Sequence, residues 1–251
     1  MGDSMDKVLY LAMSGARENM RSQQAHANNL ANATTTGFKA DFAQARAMQV
    51  EGDGFDSRVY AMAERAGTNM SSGTMIQTGR SLDVAIDGDG WMAVIDANGN
   101  EAYTRQGELQ INQFNQMVTR SGDLIMGNGG IPITLPPFEK LDIGGDGTIT
   151  IKPAGEAATE LAILDRIKLV KPEPGQLFKG VDGMMHSGNN QPLLPANEVK
   201  IRAGFLESSN VNSISELTSV IDLARQFEMH VKMMKTAEEN SSAATRILSL
   251  Q

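Results

Sequence analysis

Near the start of the chain, apolar and small residues recur at alternating steps of four and three. Leu9, Met13, Ala16, Met20, Ala27 and Leu30, with Gln23 completing the series, form a narrow a/d seam and predict a coiled-coil-type helix over residues 5–33. Small fillers such as Ala16 and Ala27 set this seam apart from a helix lying on a globular core, whose apolar stripe is wider than about 100°. The spacing returns at the other end in Leu217, Val220, Ala224, Phe227, Val231, Met234 and Leu248, within a segment spanning 207–251. Ser213 as N-cap and Glu216 three residues on make a capping box, and a helix running to about residue 249 would be roughly 55 Å long. Glu238, Ser241 and Thr245 occupy the seam positions before Leu248. Such a polar stretch either fixes register or marks fraying.

Between the ends the pattern changes. Thr34-Thr35-Thr36 followed by Gly37 ends the first helix, because β-branched residues and glycine are poor helix formers. Gly52, Gly54, Gly67, Gly73 and Gly79 then punctuate a polar stretch, which predicts an extended arm over 34–80 with little core of its own. From 81 to 206 short apolar segments alternate with turn signals such as Asp87-Gly88, Asn98-Gly99, Asp146-Gly147 and Asp182-Gly183. The clearest hairpin pairs Trp91–Ile95 with Ala102–Arg105 across Asn98-Gly99, read as a type I′ turn. Segments 149–151 and 167–170 read as further strands. The expected class is α+β: two coiled-coil-type helices flanking a β-rich central domain, with the arm between the first helix and that domain.

Composition narrows the choice of function. Only 41% of the 251 residues are hydrophobic and 5% aromatic, while Gly reaches 25 and Met 16, so the core is thin. The net charge of −8 comes without a block of Lys and Arg, which argues against nucleic-acid binding. The absence of Cys removes disulfides, thiolate catalysis and Cys-ligated metals. No stretch approaches 18 apolar residues, and Asp3, Asp6 and Lys7 interrupt the N-terminus, so neither direct membrane insertion nor a cleaved signal peptide is expected.

The search for chemistry returns no catalytic, cofactor or metal residues. His26, His186 and His230 lack any tight ligand spacing, and a zinc site from them would need an improbable convergence in three dimensions. Asp96, Asn98 and Asn100 match the first three ligand positions of an EF-hand, but Glu101 takes the glycine slot and Gly107 the slot of the bidentate Glu. Nucleophile-elbow, Walker A and Rossmann signatures are absent, and acidic pairs such as Asp87 with Asp89 read as turn and surface residues.

Three local sequences resemble the bacterial flagellar rod and hook proteins. Asn28-Asn29-Leu30-Ala31-Asn32-Ala33-Thr34-Thr35-Thr36-Gly37-Phe38-Lys39 is similar to the family's N-terminal signature. Gly79-Arg80-Ser81-Leu82-Asp83-Val84-Ala85-Ile86, with Tyr103-Thr104-Arg105-Gln106-Gly107, is similar to the start of its central domain, and Gly204-Phe205-Leu206-Glu207-Ser208-Ser209-Asn210-Val211 to its C-terminal entry. Within the family the short central domain and Arg225-Gln226-Phe227-Glu228 look most like a proximal-rod subunit, with a distal-rod or hook-type subunit second. The resemblance implies a structural, non-enzymatic protein without cofactors. It further implies partners among other rod subunits and copies of itself, export by the flagellar type III apparatus, and a place in the periplasmic rod with the termini in its inner layer. A coiled-coil adaptor and a wall-active hydrolase are the competing readings.

Overall fold

The computed structural model describes residues 2–42, 45–49, 59–63, 67–153, 161–189 and 191–248. Helix α1 spans Gly2–Ala31 and helix α2 spans Ser213–Leu248, and the described strands lie between them in sequence, giving the α+β class. Two compact units result. One collects Met1–Ala33, Ala40–Asn69 and Val211–Gln251, and the other Thr34–Lys39 and Met70–Asn210.

In the helical unit α1 and α2 pack against each other. At the end of α1, Asn32 returns its backbone N–H and its side-chain Nδ2 to the Asn28 carbonyl, satisfying an acceptor that the ending helix would otherwise leave bare. The cap of α2 differs by one residue from the sequence reading. The Asn212 side chain, not that of Ser213, accepts the N–H groups of Ile214 and Ser215, so Ser213 is the first helical residue. Glu216 is thereby freed from a capping box.

The stretch 34–80, expected as one extended arm, is divided between the two units. Its described middle forms short antiparallel ladders, Asp41–Phe42 with Gly67–Thr68 and Ala45–Gln49 with Val59–Ala63. Such ladders satisfy the backbone N–H and C=O groups of the paired residues.

The β-rich unit is built on a larger sheet in the order Leu177–Lys179, Met185–Ser187, Glu101–Thr104, Trp91–Ile95, Leu124–Ile125, Met117–Thr119 and Leu109–Ile111, with Leu169–Val170 added onto Trp91–Ile95. A second sheet joins Phe138–Ile143, Thr148–Pro153 and Ala162–Arg166. Two late strands close back on two early ones: Lys200–Ala203 pairs with Val84–Asp87, and Phe205–Glu207 with Met75–Gln77. Successive side chains of a strand point to opposite faces. Met92 and Val94 accordingly enter the main core with Leu109, Met117, Ile125 and Ile149, while Trp91 and Ala93 enter a second cluster with Tyr103 and Met185. Burial on both faces explains why Trp91–Ile95 reads as a continuous apolar run.

The hairpin of Trp91–Ile95 forms, with Glu101–Thr104 in place of the expected Ala102–Arg105, and its turn is not type I′. Only Gly99 has a positive φ (83°), and the Asp96 carbonyl accepts from the Gly99 N–H, which is a type I turn followed by a left-handed glycine. The Asp96 carboxylate binds the N–H groups of Asn98 and Asn100, and these bonds hold its pKa below the usual range against the opposing effect of burial.

Candidate functional site: helix faces and a buried ionic junction

The helix pair is antiparallel. Gly15 of α1 lies under the ring of His230 of α2, while His26, further along α1, meets Glu216 near the start of α2 at 2.5 Å. A Cβ on Gly15 would sit 2.5 Å from the His230 ring, so glycine is what lets the helices approach there. Gly15→Leu is expected to cost the helix pair about 1–3 kcal/mol through overpacking, read from denaturant unfolding followed at the helical circular-dichroism band. At the other end Asn29, buried, imitates a strand: its Oδ1 accepts the Asp41 N–H and its Nδ2 donates to the Asp41 carbonyl. The same amide reaches the Glu216 carboxylate at 3.3 Å.

Within the chain the two helices pair through a stripe that only partly coincides with the predicted seam. On α2 the half-buried positions include Glu216, Val220, Leu223, Phe227, His230, Met234 and Ala237, a heptad that shares Val220, Phe227 and Met234 with the predicted seam. Ala224 is also half-buried, whereas Leu217 and Val231 are exposed. On α1, Ala16 is buried and Leu30 half-buried, but Leu9, Met13, Met20 and Ala27 are exposed, and Ala12, Asn19 and His26 take the inward places. The phase is shifted by one residue at alternate positions. It places Ala237 inward and leaves Glu238 exposed, on the same stripe as Leu217 and Val231. The side chains of Ser241, Thr245 and Leu248 lie outside the described residues.

Exposed apolar residues remain on α2 after this pairing. Besides Leu217 and Val231 they include Ile221, Met229 and Met233. Met229 and Met233, with Gln226, Thr236 and Ala237, line an open groove of about 660 Å³.

The family-like motifs meet in the β-rich unit. Lys39, Arg105 and Glu207 come from the three separate motifs, and each is at most 3% exposed. The Glu207 carboxylate accepts from Lys39 Nζ at 2.7 Å, from Arg105 at 3.0 Å and from the Gly73 N–H at 2.8 Å. Lys39 also donates to the Ser71 carbonyl, while Arg105 donates to Ser72 Oγ and to the carbonyls of Gly88 and Gly90, its guanidinium lying 5.4 Å from the Trp91 ring. All these donors point inward to acceptors, which is what makes a buried charge tolerable. Burial pushes the Lys39 pKa down, and its bond to Glu207 partly restores it. Gly37 has φ 69°, and a Cβ there would overlap the Arg105 carbonyl, so the Gly-Phe step of the N-terminal motif is dictated by contact with the central motif.

Sequence reasoning had judged a histidine-centred metal site improbable. The fold does bring Asp96, Asp182 and His186 together, with one donor atom of each within 4.8 Å of the others beside a polar cavity of about 600 Å³. Their partners are already present within the chain: His186 Nε2 sits 2.9 Å from the Asp182 carboxylate, and Asp96 binds its own turn.

The matches to known families follow the same tripartite division. Residues 9–39 match the flagella basal body rod protein family, 85–151 the flagellar hook protein FlgE/F/G D1 domain, and 202–247 the flagellar basal body rod FlgEFG protein C-terminal family. The chain is 37% identical to the flagellar basal-body rod protein FlgF of Escherichia coli strain K12, over 98% of this chain and all of the relative. This chain belongs to the flagellar basal-body rod protein family. The rod proteins FlgF of Salmonella typhimurium and of Caulobacter vibrioides are 36% and 34% identical over 98% and 97% of this chain. A rod protein of the FlgG kind, from Buchnera aphidicola, is 27% identical over 92%. Within the rod family the chain is thus most like FlgF. The junction residues Lys39 and Glu207 lie inside the matched N- and C-terminal segments, and Arg105 inside the matched D1 segment.

Proposed function

We propose that this chain is a proximal-rod subunit of the flagellar basal body, joining copies of itself and other rod subunits through its two terminal helices. The greater identity to FlgF than to FlgG, over nearly the whole chain, supports the proximal position. The observation that carries the assembly role is the apolar surplus of α2. Leu217, Ile221, Met229, Val231 and Met233 stay exposed after α1 and α2 have paired, and neighbouring helices packing in coiled-coil fashion would bury them. Each such side chain contributes about 1.5–3 kcal/mol when fully buried. Export by the flagellar type III apparatus without a cleaved signal, and a periplasmic position, complete the reading. No described helix is long and apolar enough to cross a membrane.

The test uses a strain lacking this gene, complemented with the chain carrying Leu217→Asp and Met233→Asp. Both positions face away from the half-buried stripe, so the purified protein should unfold within about 0.5 kcal/mol of the parent for each change. Swimming on soft agar should nevertheless be abolished, with rods that stop short. Normal motility would reject the outward face of α2 as the assembly surface. The Phe227→Asp change differs in that it also places a charge on the stripe facing inward, and both helix pairing and motility should then be lost.

A further inference from the structure

The segment Thr34–Lys39 belongs to the β-rich unit, and much of its anchoring there comes from residues near the far end of that unit. The Gly37 N–H donates to the Glu207 carbonyl at 2.8 Å, the Asn210 N–H to the Phe38 carbonyl at 3.3 Å, and Lys39 Nζ to the Glu207 carboxylate at a separation of 168 residues. A further cation clamps it from outside, with Lys179 donating to the Lys39 carbonyl and lying 3.8 Å from the Phe38 ring. Glu207 itself sits on Phe205–Glu207, which pairs with Met75–Gln77.

We propose that Thr34–Lys39 is a strap that closes on the β-rich unit only after Phe205–Glu207 has paired with Met75–Gln77, with the Glu207 carboxylate as the closing contact. Two physical reasons lead to this order. Seating the strap first would bury Lys39 and Arg105 without the anion that compensates both, and removing the partner of a buried charge is strongly unfavourable. The closure also spans almost the whole unit, so its entropy cost falls due before most of the compensating contacts exist unless the sheet is already formed. Until Glu207 arrives the N-terminal motif has no seat, and a chain still lacking its C-terminal segment stays open at that edge. A single buried carboxylate then decides when the strap is seated and in which register. This inference stands independently of what the helices assemble with.

Pulse-labelling hydrogen exchange with mass-spectrometric readout, during refolding of the full chain, tests the order. Amides 35–39 and 71–73 are expected to become protected no earlier than 205–207, and after 91–95 and 117–125. At equilibrium, Glu207→Gln is expected to speed exchange of 35–39 at least tenfold more than it speeds exchange of 91–95 and 117–125. Strap protection that precedes protection of 205–207 would overturn the proposal. So would strap exchange unaltered in Glu207→Gln, and the kinetic measurement on the parent chain decides the matter even if that variant does not fold.

Discussion

Glu207→Ala is expected to lower the stability of the β-rich unit by about 3–5 kcal/mol, which corresponds to a fall in melting temperature on the order of 10 °C. The alanine removes the carboxylate that Lys39, Arg105 and the Gly73 N–H share, and leaves two cations, each at most 3% exposed, with only neutral acceptors. A comparison variant isolates the cause. Replacing Lys39, Arg105 and Glu207 together by apolar residues of similar volume removes the charges as well as the bonds, and such replacements of buried ion groups run from neutral to stabilising. The triple variant should therefore melt well above Glu207→Ala. Equal melting temperatures would show that the shape of the Glu207 side chain matters rather than its charge. Differential scanning calorimetry on both proteins provides the measurement.

The second large effect is expected at Gly107. The Val84 N–H donates to the Gly107 carbonyl at 2.9 Å, and a Cβ added at Gly107 would land on the Val84 carbonyl oxygen, far inside van der Waals contact. The obstacle is backbone on a core strand and cannot rotate away. Gly107→Ala should cost at least the 1–3 kcal/mol, roughly, of an overpacked core, and disturb the closure of Val84–Asp87 against Lys200–Ala203. Gly99→Ala supplies the contrast. Gly99, unlike Gly107, has a positive φ, but nothing lies within 4 Å of its absent Cβ, so only the left-handed conformation is penalised, by about 1–2 kcal/mol. Urea unfolding of the two variants side by side should rank Gly107→Ala as the more damaging. The opposite ranking would mean that backbone conformation outweighs contact at these glycines.

Much of the architecture was legible because periodicity reports burial directly. The three-four spacing at the two ends located both helices, and the apolar run Trp91–Ile95 with its Asn-Gly turn located the central hairpin. The phase of the helical stripes was not legible. On α1 the exposed methionines at 13 and 20 are more apolar than the inward Asn19 and His26, so any rule that points the most apolar residue inward selects the wrong side for pairing within the chain. The discrepancy has a physical source. The inward side is chosen by close approach at Gly15 and by hydrogen bonds from Asn29 and His26, whereas apolar size reflects the surface left outside.

The motifs show the same division. Sequence alone marked Gly37-Phe38-Lys39, Tyr103 to Gly107 and Gly204 to Val211 as three family-like segments, and it determined the class of elements, the acidic charge, the lack of cysteine chemistry and the family resemblance. Nothing in spacing along the chain says that Lys39, Arg105 and Glu207 share one buried carboxylate, because the contacts span 168 and 102 residues. Only the tertiary structure decided that, along with the assignment of Thr34–Lys39 to the β-rich unit. Local patterns record which side of a helix or strand is buried. A buried charge must instead find its counter-charge in three dimensions, and the fold of the intervening chain determines which residue supplies it.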